Sequence, residues 1–139
     1  MYTTNEKFFV DATNIRTIFV DIDQGTFYLL PVFANLVLQM LLSGYDVSEI
    51  KNYFANIESV PDDYESRVDS VLQKLIKYEL IVETKDSATQ EFISDDDALQ
   101  ELHASDFAYD IVPSDDVQDL LLDDPIHDVS LEGWNPISK

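Results

Sequence analysis

Residues 18–42, IFVDIDQGTFYLLPVFANLVLQMLL, hold two short strands, the turn between them and an almost wholly apolar helix. Ile18, Val20 and Ile22 alternate with Phe19, Asp21 and Asp23, the period-2 pattern of a strand with one face buried. Gly25 supplies the positive φ of a tight hairpin, so a turn at Gln24-Gly25 returns the chain into the β-prone run Thr26, Phe27, Tyr28, Leu29 and Leu30. Pro31 suits the first helical position, after which Phe33, Leu36, Val37, Met40 and Leu41 recur at helical spacing and Leu38 and Leu42 widen the apolar surface. Such a helix must be buried on most sides, and Ser43-Gly44 ends it.

Outward from this segment the pattern stays legible. Phe8, Phe9 and Val10 predict an earlier strand at about 7–11, set off by a turn at Ala12-Thr13-Asn14. Asp46 with Glu49 three residues on has the form of a capped helix start, and Val47, Ile50, Tyr53, Phe54 and Ile57 fall on one face of that second helix. After Pro61, Asp62 or Asp63 caps a third helix, whose stripe is Tyr64, Val68, Val71, Leu72, Leu75 and Ile76, flanked by Arg67, Lys74 and Lys77. Leu80-Ile81-Val82 closes the unit as a helix end or a short strand. The expected fold is α+β, a three-stranded antiparallel meander followed by three helices over residues 6–85, with an acidic C-terminal extension over 86–139.

Composition bounds the function. At 139 residues one sizeable core is expected, and the absence of cysteine excludes disulfides and thiolate metal sites. The N-terminus shows no secretory signal, and the longest apolar stretch is broken by Asn35 and Gln39, so a cytoplasmic protein with no membrane partner is expected. Charge is unevenly placed: residues 1–85 hold 13 acids and 7 bases, residues 86–139 hold 15 and 1. A net charge of −20 repels phosphates, so a nucleic-acid partner is not expected.

Asp-Ile-Asp, then Gly-Thr-Phe-Tyr-Leu-Leu-Pro, then Tyr-Asp-Val-Ser-Glu-Ile-Lys-Asn-Tyr-Phe and a third helix ending Lys-Tyr-Glu-Leu-Ile-Val resemble the PqqD-like family, the recognition elements of ribosomally made and post-translationally modified peptides. The resemblance covers roughly residues 8–84 and is carried at the strand-to-helix junction by Gly25, Tyr28 and Leu30. Pro31 stands where the family often has asparagine. The resemblance implies a winged-helix-like, non-catalytic protein without cofactor. It implies that the leader of a precursor peptide adds as a strand to the third strand, packs on the third helix and is presented to a peptide-modifying enzyme. On this chain the implied contacts are Thr26, Phe27, Tyr28, Leu29 and Leu30 with Tyr64, Arg67, Val68, Val71, Lys74 and Leu75. Val68, Val71 and Leu75 also fit an ordinary core face.

The other motifs carry little chemistry. His103 and His127 each lie near acids without metal-ligand spacing, and no metal site is expected. The Asp95-Asp96-Asp97 and Asp115-Asp116 runs lack the remaining parts of a calcium loop and read as helix caps. No phosphate-cradling glycine loop and no nucleophile, base and orienter set exists, so an enzyme is not expected. The tail is acidic yet holds large apolar residues, and residues 106–113, DFAYDIVP, alternate enough for a strand. It has three uses open to it: wrapping the module, filling the peptide groove as an internal pseudo-leader, or docking on the modifying enzyme. The competing class is a winged-helix-like regulatory module that contacts proteins through this acidic arm.

Overall fold

The computed structural model describes residues 1–86 and 91–114. Over them the chain is α+β, with antiparallel strands and four helices: β1 (Tyr2–Thr4), β2 (Phe8–Ala12), β3 (Thr17–Asp21), β4 (Thr26–Leu30), α1 (Val32–Leu42), α2 (Val47–Ala55), α3 (Tyr64–Lys77), β5 (Ile81–Glu83), α4 (Asp96–Ala104) and β6 (Val112–Ser114). Two sheets form, one of β1 and β5 and one in the order β2-β3-β4-β6.

The β3–β4 hairpin differs from the two-residue turn expected at Gln24-Gly25. Asp21 pairs with Thr26, so four residues make the connection. The Asp21 carboxylate accepts from the N–H groups of Asp23 and Gln24, at 3.1 Å each, and Gly25 takes φ 70°. A carboxylate that satisfies two turn donors ends the strand two residues early. The same register decides which face is inside. Thr17, Phe19 and Asp21 are buried, whereas Ile22 lies in the turn and is 73% exposed. Thr17 tolerates burial because its hydroxyl donates to Asn35 Oδ1 at 2.6 Å, and the Asn35 amide donates in turn to the Thr13 carbonyl at 3.1 Å. The polar Asn35 that interrupts the apolar helix is therefore the pin that holds α1 to β3.

Helix α1 is buried at nine of its eleven positions, and Pro31 stands one residue before it, as the capping residue rather than the first helical one. Asp46 and Glu49 form the reciprocal capping box at the start of α2. Asp63 precedes α3 but makes no side-chain cap, because its carboxylate is turned to Arg67 at 2.9 Å. The amphipathic faces of α2 and α3 close over α1, with Phe33 stacked on Phe54 at 4.2 Å between ring centroids.

Leu80-Ile81-Val82 resolves into a strand: β5 pairs with β1, Tyr2 opposite Glu83. The core then continues past residue 85. Ala98 and Leu102 of α4, with Phe107 and Ile111 after it, are buried in the same cluster as Phe19, Phe33 and Leu75. The acidic tail therefore supplies a fourth helix and a fourth strand to the larger sheet, which neither the three-strand nor the three-helix expectation included. No helix among the described residues is long and apolar enough to cross a membrane.

Candidate functional site

Strand β4 and helix α3 converge to form a groove, and the chain's own residues 106–114 run through it. Residue by residue, β6 pairs antiparallel with β4: Phe27 opposite Ser114, Tyr28 opposite Pro113, Leu29 opposite Val112. Antiparallel partners alternate between facing each other and facing away. Proline has no N–H to give, so Pro113 takes the facing-away position, and the peptide groups of Phe27 and Leu29 are those of β4 turned towards the tail. The outer edge of β6 thereby lacks a donor at Pro113, which blunts further strand addition.

Helix α3 contributes two cations. The Arg67 guanidinium, whose side chain is 19% exposed, bonds Asp63 through Nε, donates from Nη1 to the carbonyls of Asp106 at 3.3 Å and Phe107 at 3.0 Å, and lies 5.1 Å from the Tyr109 ring centroid. About two turns later, Lys74 bonds the Asp110 carboxylate and reaches the Ile111 carbonyl at 3.4 Å. Of the bonds to the tail, three go to main-chain carbonyls, which any peptide offers, and one to a carboxylate, which selects. Between β4, α3 and the tail remains a cleft of about 630 Å³, lined by Leu29, Pro31, Arg67, Ser70, Tyr109 and Val112 among others.

The residues implied by the family resemblance divide into two sets. Thr26, Phe27, Tyr28 and Leu29 are half-buried on the strand that carries β6, and Arg67, Lys74 and Tyr64 are half-buried on α3. Of these, Phe27, Tyr28 and Leu29 pair with β6, and Arg67 and Lys74 bond residues 106–111. Leu30, Val68, Val71 and Leu75 are buried in the core and support the groove from beneath. Tyr28 is fixed from behind by the rings of Phe8 and Tyr78, at 5.8 and 5.1 Å. The groove-facing Tyr109, Asp110 and Ile111 were absent from the residue set drawn from the sequence. Their signal was the alternation of residues 106–113, which is legible as a strand but not as a partner for β4.

Delivery of the tail into the groove is costly. Asp106 and Phe107 follow α4 with φ of 57° and 58°, a left-handed conformation that disfavours side-chain-bearing residues by about 1–2 kcal/mol each. Arg67 satisfies the two carbonyls of this turn, and the Phe107 ring rests against His103 at 5.1 Å. Helix α4 is itself latched at both ends. At its start Asp95 accepts from Asp97 and Ala98 and from Asn14, and the Asn14 amide first, then the helix N–H groups, hold its carboxyl below the usual range. At its end His103 sets Nε2 against the Glu58 carbonyl at 2.8 Å and Nδ1 against the Leu99 carbonyl at 2.9 Å. Carbonyls only accept, so the arrangement favours the doubly protonated ring, and the Glu58 carbonyl followed by that of Leu99 raises the His103 pKa above 6.5.

Among the described residues no three His, Asp or Glu side chains converge as a metal-holding group. His127, the Asp115-Asp116 run and the tail's later apolar residues lie outside the described residues. No protein-family model, curated protein or solved structure matches this chain.

Proposed function

We propose that this protein is a non-catalytic peptide-recognition module, winged-helix-like and of the PqqD-like kind, which takes the leader of a ribosomal precursor peptide as an added strand on β4 and presents it to a separate maturation enzyme in the cytoplasm. The observation that supports this reading is the pairing of residues 112–114 with β4 while Arg67 and Lys74 of α3 bond the carbonyls of Phe107 and Ile111 just before them. Backbone pairing gives affinity without sequence, and the side chains beside it give selectivity. A groove built so is suited to holding a peptide.

The test is peptide binding in trans. Peptides from a random display library, together with the leader of any short precursor encoded beside this gene, would be measured by fluorescence anisotropy against the full chain, Lys74→Glu and Phe9→Ser. Phe9 is 60% exposed on β2 and controls for non-specific apolar contact. The reading expects binding that Lys74→Glu abolishes and Phe9→Ser leaves intact. Binding that ignores the charge at residue 74 would sink it.

A further inference from the structure

The groove just described is already filled, and the manner of filling is informative. Residues 109–114 contribute one deeply buried side chain, Ile111, while Val112 is 56% exposed and β6 is only three residues long. They are delivered by two consecutive residues of positive φ. Their polar anchors, Arg67 and Lys74, are half-buried side chains at the groove margin, not core groups. By contrast α4, which precedes them, is held independently through Ala98 and Leu102 in the core, Asp95 on Asn14 and His103 on Glu58. The segment can therefore leave while its tether, with Phe107 in the core and the amides of Asp106 and Phe107 bonded to α4 carbonyls, stays docked.

We propose that residues 109–114 are a displaceable internal ligand of the β4–α3 groove. The partner that replaces them is an extended peptide presenting an aromatic, an acid and a β-branched aliphatic residue in succession, the order of Tyr109, Asp110 and Ile111. This rests on the peptide-binding reading above. Each position has its receptor in the fold: the Arg67 guanidinium and the Phe33 ring, 6.1 Å away between centroids, for the aromatic; Lys74 for the acid; the buried cluster for the aliphatic. The acid is selected locally even though the chain as a whole carries −20, because the two cations stand within the groove itself. An internal occupant lowers the apparent affinity for any partner by the fraction of molecules whose groove is open. The tail then acts as a threshold that admits only peptides matching the groove better than it does.

A labelled peptide of residues 106–114, DFAYDIVPS, tests this against the full chain and against Tyr109→Ser/Asp110→Lys, which loosens the occupant and leaves β4 and α3 untouched. The double variant is expected to bind the peptide about tenfold more tightly than wild type, and addition of Lys74→Glu to cancel the gain. Equal binding to both proteins would overturn the internal ligand and leave the groove reading standing. Failure of DFAYDIVPS where unrelated peptides bind through Lys74 would overturn the proposed pattern alone, and no binding by any peptide would overturn both. Hydrogen exchange on the wild-type chain gives an answer that does not depend on the variant folding: amides at 110–112 and 114 should exchange well before those of β3. Equal protection of the two would show that the segment leaves only on global unfolding, and would end the proposal.

Discussion

Strand β4 has a neighbour on each side, and the two differ in almost everything but direction. On one side β3 pairs at five positions, is joined by a four-residue turn and buries Thr17, Phe19 and Asp21. On the other, β6 pairs at three positions, comes from more than eighty residues away in sequence and carries a proline at its centre. A strand joined locally closes its loop at little entropic cost, whereas one from far along the chain must be held by contacts made after the rest has formed. The first side of β4 is therefore fixed by local connection, and the second by contacts made across the fold.

Substitutions can break this contrast. The largest effect is expected on the β3 side: Phe19→Ala, at a fully buried ring packed edge-on to Phe8, should cost about 3–5 kcal/mol in denaturant unfolding and lower every probe together. Ile111→Ala removes an equally buried side chain on the β6 side and should cost about 2–4 kcal/mol locally, read as faster exchange at residues 109–114 with β3 still protected. If the two variants melt alike, the sides of β4 are equivalent and the contrast is lost. Arg67→Ala leaves two turn carbonyls without their donor and should loosen the segment by about 1–3 kcal/mol, again visible at its amides first. Arg67→Lys should restore little, since one ammonium cannot reproduce the guanidinium's spread of donors.

The smallest effects follow pH and fall on the tether. The folded-state pKa of His103 is raised above 6.5, so its contribution is fully present below 6.5 and fades as pH rises through the folded value. Asp95 runs the other way: its carboxyl is depressed below 3.8, so its stabilisation holds above 3.8 and is lost as pH falls through the folded value. An NMR titration placing the His103 ring at or below 6.5 would contradict the double-donor geometry. Loss of α4 docking on acidification to pH 5.5 would do the same.

Much of the fold was legible because its signals are local. The hairpin turn, the capping box at Asp46 and Glu49, the apolar run of α1 and the stripe of α3 each sit within a dozen residues and follow from backbone preference and periodicity. The inward face of β3 was harder to read. Ile18, Val20 and Ile22 are the more apolar set, yet Thr17, Phe19 and Asp21 lie inside, since Asn35 and the turn N–H groups satisfy their polar atoms. The groove was legible by halves. The β4 and α3 residues came with the family resemblance, whereas Tyr109, Asp110 and Ile111 showed only as an alternating stretch.

The sequence by itself determined the elements from β2 to α3, the polarity of those three helices and the steep acidity of the tail, because these depend on neighbours along the chain, whereas β1 was not foreseen and residues 80–82 stood open between helix end and strand. Only the tertiary structure decided that Ala98 and Leu102 of α4, with Phe107 and Ile111, belong to the core and that β6 occupies the edge of β4. Both join partners tens of residues apart, and no local periodicity encodes which strand edge a distant segment will find. Arg67 and Lys74 show the difference. On the helix they are two charges flanking an apolar stripe, and in the fold they become the clasp that holds a strand in place.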